Sequence, residues 1–90
     1  MKKRLMDILA CPICKHHPLE LKVFAGGEEI EEGMLTCPEC CRWYPIIETI
    51  PHMLPDELRE EREDRDFLVK WKKEAPEGVL RSGKPYNLGL

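Results

Sequence analysis

The first apolar positions of the chain have helical spacing. They recur at i, i+3 and i+4 intervals and are Leu5, Met6, Ile8 and Leu9. This stripe predicts a short helix over residues 3–10, which Pro12 ends because proline lacks a backbone N–H. Packing in a core and binding to a partner both explain the stripe, and both explanations stay open here.

Alternation of apolar and polar side chains begins at residue 19 and predicts an antiparallel hairpin. One face of residues 19–25 carries Leu19, Leu21, Val23 and Ala25. The other face carries Glu20, Lys22 and Phe24. Period-two alternation of this kind is typical of a β-strand. Gly26 and Gly27 provide a turn, residues 28–33 form a solvated acidic tip, and residues 34–37 return as the second strand.

Residues 42–54 are densely apolar but are interrupted by prolines. Pro45, Pro51 and the following Pro55 each remove a backbone donor, which predicts an edge strand followed by an extended segment. The apolar side chains are more than we expect so small a core to hide: Trp43, Tyr44, Ile46, Ile47, Ile50, Met53 and Leu54. An apolar edge needs a cover, so this pattern favours a surface to which a partner adds a strand.

The remaining residues are rich in charge. Asp56 is a potential N-cap, and the pattern predicts a helix over residues 56–74 with a solvated charged face. Its exposed ion pairs would be Glu61 with Arg65 and Asp66 with Lys70. Its docking residues would be Phe67, Leu68, Val69 and Trp71. We therefore expect a ribbon domain over residues 1–55, a charged helix over 56–74 and a flexible tail over 75–90.

Composition limits the possible classes of protein. The chain has 90 residues, and its net charge of −3 comes from 14 basic and 17 acidic residues that are intermixed. A free-standing nucleic-acid binder usually has a net basic face instead. No apolar run reaches the roughly 20 residues of a membrane span, and no secretory signal precedes the hairpin. We therefore expect a cytoplasmic protein without a membrane partner.

Two C-x-x-C pairs are the strongest chemical signal in the chain. The cysteines are Cys11 with Cys14 and Cys37 with Cys40, and each pair has proline in its second position. Four thiolates presented by two tight turns are typical of a closed tetrahedral Zn²⁺ site. Two disulfides are a poorer explanation because the fifth thiol, Cys41, makes the count odd. Iron in a rubredoxin-like electron carrier is the other alternative, since it shares the all-sulfur geometry.

The sequence offers no catalytic constellation. A zinc ion bound by four cysteines has no vacant position at which to activate water, so its role would be structural. His16 and His17 follow the first pair but are not needed as ligands, and we expect them at the surface or beside the site. The overall prediction is an α+β fold, a small antiparallel zinc ribbon with an N-terminal helix and a C-terminal helix.

Several segments together resemble the multifunctional methyltransferase subunit family. The similar residues include Leu5, Ile8, Leu9 and the sequence Cys11-Pro12-x-Cys14-Lys15, followed by Leu35-x-Cys37-x-x-Cys40, Tyr44-Pro45-Ile46 and Ile50-Pro51-x-Met53-Leu54-Pro55. The family consists of small zinc-ribbon activators of tRNA, rRNA and release-factor methyltransferases. The resemblance implies a non-catalytic regulatory subunit that forms a heterodimer with a class I S-adenosylmethionine-dependent methyltransferase. Any contact with tRNA would be indirect.

The resemblance also implies roles for particular residues. Cys11, Cys14, Cys37 and Cys40 would bind the metal. The partner surface would contain Leu5, Ile8, Leu9, Trp43, Tyr44, Pro45, Ile46, Ile50, Pro51, Met53 and Leu54. The short connection between the cysteine pairs is similar to the compact prokaryotic form, and we expect an archaeal one.

Two features depart from the family pattern. Thr49 stands where members often have glycine, and residues 56–90 extend beyond the resemblance. The alternative function is that of a nucleic-acid-binding ribbon of the translation or transcription machinery, with Lys2, Lys3, Arg4 and Lys15 supplying a basic face.

Overall fold

The computed structural model describes residues 1–89 as an antiparallel sheet with helices packed against it. The strands, in spatial order, are β1 (Glu20–Gly26), β2 (Ile30–Thr36), β3 (Trp43–Ile47) and β4 (Ile50–Pro51). The helices are α1 (Glu61–Lys70) and α2 (Glu77–Ser82), and 3₁₀ turns span Lys3–Asp7 and Asp56–Leu58. Among these residues no helix is long and apolar enough to cross a membrane. The predicted α+β ribbon fold is confirmed.

The β1–β2 hairpin forms as predicted, but its turn is shorter. Leu21 pairs with Leu35, and an irregularity interrupts the register between Val23 and Ala25. The predicted acidic tip is wrong at Ile30, which starts β2 and is fully buried. The N–H of Ile30 donates to the carbonyl of Met1, and the Met1 ammonium donates back to the Ile30 carbonyl at 2.7 Å. A single apolar residue within an acidic run thus belongs to the core.

The sheet is covered on both faces, and each face has its own apolar core. The first core comprises Met1, Cys11, Leu19, Ile30, Leu35, Cys37, Tyr44 and Ile46. The second core comprises Met34, Trp43, Phe67, Leu68, Val79 and Leu80. Met34 and Leu35 of β2 lie in opposite cores, as do Trp43 and Tyr44 of β3, and β3 is accordingly a continuous apolar run. Phe24, expected on a polar face, stacks on Trp71 with ring centroids 4.9 Å apart.

β3 is an interior strand, so its prediction as an edge strand was wrong. Ile47 pairs with Ile50 of β4, and the His52 N–H donates to the Pro45 carbonyl at 2.9 Å. At the start of β3, the Trp43 N–H donates to the Lys84 carbonyl at 3.0 Å. Pro45 is tolerated because the strand neighbouring it on that side is only two residues long.

The helix predicted over residues 56–74 is broken into two parts. Asp56 does not cap a helix; its carboxylate accepts two hydrogen bonds from Arg42, at 2.9 and 2.7 Å. Arg59 has extended dihedral angles, so α1 begins only at residue 61. The ion pair between Glu61 and Arg65 is present at 3.4 Å. Lys70 pairs with Glu32 of β2 instead of the predicted Asp66.

The predicted solvated charge run hides a buried ion pair. The Arg59 and Asp64 side chains are 2% and 7% exposed and lie 2.8 Å apart. Arg59 also donates to the Trp43 carbonyl at 2.8 Å and lies over the Trp43 ring. Burial raises the pKa of Asp64, although the charge of Arg59 opposes that shift. The pair therefore anchors the charged segment to β3.

The C-terminal and N-terminal segments also differ from expectation. Instead of a flexible tail, residues 77–82 form α2, whose Val79 and Leu80 side chains are buried in the second core. Residues 56–89 thus share a core with the sheet and do not stand apart as a helix and a tail; Leu90 lies outside the described residues. The N-terminal helix is only a 3₁₀ turn over Lys3–Asp7.

The β3–β4 turn generates a stability prediction. Glu48 and Thr49 have positive φ values of 48° and 70°, which matches a two-residue hairpin turn that favours glycine. A β-branched residue is strained in this region, at a cost of about 1 kcal/mol or more. We expect Thr49→Gly to raise the free energy of unfolding by about 1 kcal/mol in urea titrations.

Thr36→Gly is the matched control for that measurement. Thr36 lies in β2, where glycine costs conformational entropy, so this variant should lose about 0.5–1 kcal/mol. A Thr49→Gly variant that loses as much stability as Thr36→Gly would contradict the strained turn.

Candidate metal centre and partner surface

Two similar turns present the four cysteines. In the first turn the Lys15 N–H donates to the Cys11 carbonyl at 2.9 Å, and in the second the Cys41 N–H donates to the Cys37 carbonyl at 3.1 Å. Lys15 and Cys41 both have left-handed φ values, of 66° and 63°. The residue after each pair thus turns the chain back on itself. The backbone N–H groups of Lys15 and Cys41 therefore each have a hydrogen-bond acceptor within their own turn.

The sulfur atoms converge at the distances that a tetrahedral metal requires. All four Sγ atoms lie within 4.8 Å of one another. Cys11 and Cys40 are 3.6 Å apart, and Cys14 and Cys37 are 3.4 Å apart. Zinc–sulfur bonds of about 2.3 Å place sulfurs roughly 3.8 Å apart around a tetrahedron. The cluster can therefore hold a metal ion, and the residues predicted from the sequence are brought together.

Burial and the repulsion between neighbouring sulfurs raise the pKa values of Cys14 and Cys37. Burial raises the pKa of Cys37 to about 12, and the sulfurs of Cys14 and Cys40 add to that shift. The backbone N–H of His16 favours the Cys14 thiolate, but burial and the sulfurs of Cys40 and Cys11 raise its pKa. A divalent cation relieves this repulsion and stabilises four thiolates together.

Cys11 differs from the other thiols because donors surround it. Burial alone would raise its pKa, but the N–H groups of Cys14 and Ile13 and the Tyr44 hydroxyl lower it to about 6. The Tyr44 oxygen is 3.2 Å from the Cys11 sulfur, and its hydroxyl donates when Cys11 is a thiolate. Burial and this sulfur in turn raise the pKa of Tyr44. Tyr44 thus links the site to β3, a contact that sequence analysis missed.

Three further polar side chains border the cluster without belonging to it. Hydrogen bonds to Asp56 raise the pKa of Arg42, and the Cys40 sulfur adds to that shift, so the guanidinium joins the second turn to the C-terminal segment. His17 Nδ1 lies 2.7 Å from the Leu9 carbonyl oxygen. His16 Nδ1 lies 3.8 Å from a carboxylate oxygen of Glu39. Neither histidine joins the four-cysteine cluster within the described residues.

The residues predicted for the partner surface fall into two groups. Four of them are buried in the protein's own cores: Trp43, Tyr44, Pro45 and Ile46. In the protein alone these side chains offer no contact surface, because both faces of β3 are covered. The other seven keep exposed area: Leu5, Ile8, Leu9, Ile50, Pro51, Met53 and Leu54. Ile8 and Ile50 are the most open of these, at 75% and 60% exposure.

The exposed group borders two sides of the ribbon. Leu5, Leu9 and Met53 pack against the first core, beside the metal cluster. Ile50 lies in the outermost strand, opposite Ile47. Large apolar side chains that stay open on a small domain are characteristic of a surface that another protein covers.

The fold and the cysteine cluster define a four-cysteine ribbon, a class of small domain in which four thiols from two turns can hold a metal ion. Residues 2–48 match the model of the Trm112p-like protein family, which is more than half of the chain. The chain belongs to this family.

Relatives in bacteria are similar to about two thirds or more of the chain. A UPF0434 protein of Dechloromonas aromatica is 42% identical over 60 residues, or 67% of this chain and 90% of the relative. A UPF0434 protein of Coxiella burnetii is 44% identical over 59 residues, or 66% of this chain and 91% of the relative. A UPF0434 protein of Methylococcus capsulatus is 33% identical over 76 residues, which cover 84% of this chain and 97% of that one.

One solved structure is similar in both fold and sequence. It is the Trm112 methyltransferase activator of Haloferax volcanii, solved in a complex with a candidate methyltransferase. The TM-score is 0.61 and the identity 45%, and the match covers 66% of this chain and 100% of that chain.

The cysteine cluster generates a prediction about metal content. Cys37→Ser removes a buried sulfur ligand, so the variant should retain no metal and lose its cooperative unfolding transition. Metal analysis after gel filtration and thermal unfolding by circular dichroism measure these two effects.

Cys41→Ser is the control because Cys41 is adjacent in sequence, exposed, and outside the cluster. It should keep the metal and unfold like the natural protein. Equal metal loss in the two serine variants would contradict the assignment of ligands.

Proposed function

We propose that this protein is a non-catalytic subunit that binds and activates S-adenosylmethionine-dependent methyltransferases as a heterodimer. The observation that carries this function is the 45% identity to the Haloferax volcanii methyltransferase activator across 100% of that activator's chain. The methyltransferases would act on tRNA, rRNA or a translation release factor in the cytoplasm. Contact with tRNA would then be made through the partner.

The proposed metal is a structural Zn²⁺ held by Cys11, Cys14, Cys37 and Cys40. The all-thiolate donor set and the short sulfur separations support this assignment. Bound zinc would hold the thiolates together and fix the two turns. Tyr44 would orient Cys11, and Arg42 would offset negative charge at Cys40.

The proposed partner surface consists of the exposed members of the predicted set. Its most exposed residues are Ile8 and Ile50, and its other members are Leu5, Leu9, Pro51, Met53 and Leu54. Trp43, Tyr44, Pro45 and Ile46 would support this surface from beneath, since β3 positions β4 and the metal turn. Ile46 is thus unsuited to an interface test, because a charge there would disrupt the core.

Activation would occur by coverage of an apolar surface on the methyltransferase. Burying apolar area contributes about 25 cal/mol per Å² before the costs of association are subtracted. A partner whose apolar edge is covered stays folded and soluble, and its stability then depends on the concentration of this subunit. The chemistry and the S-adenosylmethionine site would both belong to the methyltransferase.

A tagged copy expressed in the native organism tests this function directly. We expect affinity purification and mass spectrometry to recover one or more S-adenosylmethionine-dependent methyltransferases in stoichiometric amount. Recovery of only ribosomal or transcription proteins would contradict the activator function and favour the nucleic-acid-binding alternative.

The interface is tested by a pair of matched substitutions. Ile50 and Val69 are both β-branched and are 60% and 61% exposed, but Val69 lies on α1 and is not a member of the proposed surface. Ile50→Asp should abolish recovery of the methyltransferase because it places an unpaired charge in an apolar interface. Val69→Asp should recover it fully, and both variants should keep their metal. Co-purification with Ile50→Asp at the natural level would show that β4 is outside the interface.

A further inference from the structure

Basic side chains are concentrated in the last part of the chain. Residues 70–90 carry five of the 14 basic residues and two of the 17 acidic ones, which gives them a net charge of +3. Residues 1–69 carry the other nine basic and 15 acidic residues, so their net charge is −6. The five basic residues are Lys70, Lys72, Lys73, Arg81 and Lys84. Such an asymmetry indicates a partner of negative charge.

Three of these basic residues line one surface groove beside α2. The groove has a volume of about 350 Å³ and is lined by Lys72, Lys73, Ala75, Glu77, Leu80 and Arg81. The fold brings them together because the N–H groups of Glu74 and Ala75 both donate to the Trp71 carbonyl. This turn ends α1 and leads directly into α2, so the residues of the turn lie beside those of α2.

The groove has an excess of positive charge. Its lining contains three basic side chains and the carboxylate of Glu77. Lys72, Lys73 and Arg81 are all exposed. Within residues 1–89, Lys70 is paired with Glu32, whereas no ion pair involves Lys72 or Lys73. These two ammonium groups are therefore available to an anion from outside the chain.

The apolar side chains of α2 are turned away from solvent. Val79 and Leu80 are 9% and 5% exposed and belong to the second core. Protein interfaces are usually anchored by large apolar or aromatic side chains, and a helix that lies on a membrane needs an exposed apolar face. Contacts with phosphate groups instead use lysine and arginine side chains. The groove therefore fits phosphate better than an apolar protein surface or a lipid layer.

We infer that this groove binds the phosphate backbone of RNA through Lys72, Lys73 and Arg81. The choice of RNA among polyanions rests on the proposed function, in which the methyltransferase acts on tRNA or rRNA. The groove adds a direct contact to the one that the partner makes. Phosphate contacts position a nucleic acid without reading its sequence, so the choice of nucleotide stays with the methyltransferase.

Titration of the protein alone with a short RNA hairpin locates the contact. Amide NMR spectra at low salt report which residues respond to the RNA. We expect the largest shifts within residues 71–84 and small shifts at the N-terminal basic residues Lys2, Lys3 and Lys15. The largest shifts at those N-terminal residues, or no shifts at all, would overturn the inference.

Two double substitutions of equal charge measure the strength of the contact. Lys72→Glu with Lys73→Glu removes two phosphate contacts, so RNA affinity should fall about tenfold or more. The slope of log affinity against log salt concentration should decrease in magnitude by about 2. Lys2→Glu with Lys3→Glu is the control, because these lysines are also adjacent and exposed, and it should lose much less affinity. Equal losses in the two variants would contradict binding at the groove.

Recovery of the methyltransferase is measured separately with the same variants. Lys72→Glu with Lys73→Glu should recover it at the natural level, and a loss would place the groove in a protein interface and overturn the inference. If the natural chain recovers no methyltransferase, the proposed function fails. The RNA titration uses this protein alone, so failure of the groove and failure of the proposed function are distinguishable.

Discussion

The convergence of four cysteine sulfurs within 4.8 Å ties the N-terminal segment to the connection between β2 and β3. A domain of this size buries only about two thirds of the surface of its unfolded chain, so its apolar cores alone leave it marginal. A structural metal contributes on the order of 10 kcal/mol to folding, which is comparable to the whole stability of a small domain. Tyr44 extends this constraint into β3 through its contact with Cys11. The first core and the metal centre therefore form one unit.

The second constraint is that the sheet has two apolar faces. Trp43 and Tyr44 are neighbours in sequence, yet one lies in the second core and the other in the first. Covering both faces uses the C-terminal segment, which contributes no residue to the cysteine cluster. Arg42 connects the two parts: its guanidinium donates two hydrogen bonds to Asp56, and the neighbouring Cys40 sulfur also raises its pKa. A partner protein thus meets a ribbon whose β3 strand is already enclosed, and only peripheral apolar residues such as Ile8 and Ile50 remain open.

Features fixed by local spacing could be predicted from the sequence, and features fixed by distant contacts could not. The cysteine turns and the alternation of β1 depend on residues a few positions apart, so their pattern is visible in the chain. The Arg59 side chain is buried because it contacts Trp43 and Asp64, which are distant from it or hidden within a run of charges. The sequence alone does not distinguish a buried charged residue from an exposed one. An apparent surplus of apolar residues in β3 indicated an open surface, because the pattern did not reveal that residues 77–86 would cover it.

Residues 83–86 pair with the start of β3 although they come about 40 positions later in the chain, and this has a consequence for folding during synthesis. The cysteine turns and β1 to β3 are complete by residue 47, whereas the indole of Trp43 is hydrogen-bonded only by residue 86. A growing chain whose cysteine turns have already formed therefore carries an open β3 edge until residues 83–86 leave the ribosome. During that interval the nascent subunit exposes unpaired backbone groups of β3 and the Trp43 indole, and residues 83–86 are the ones that end this exposure.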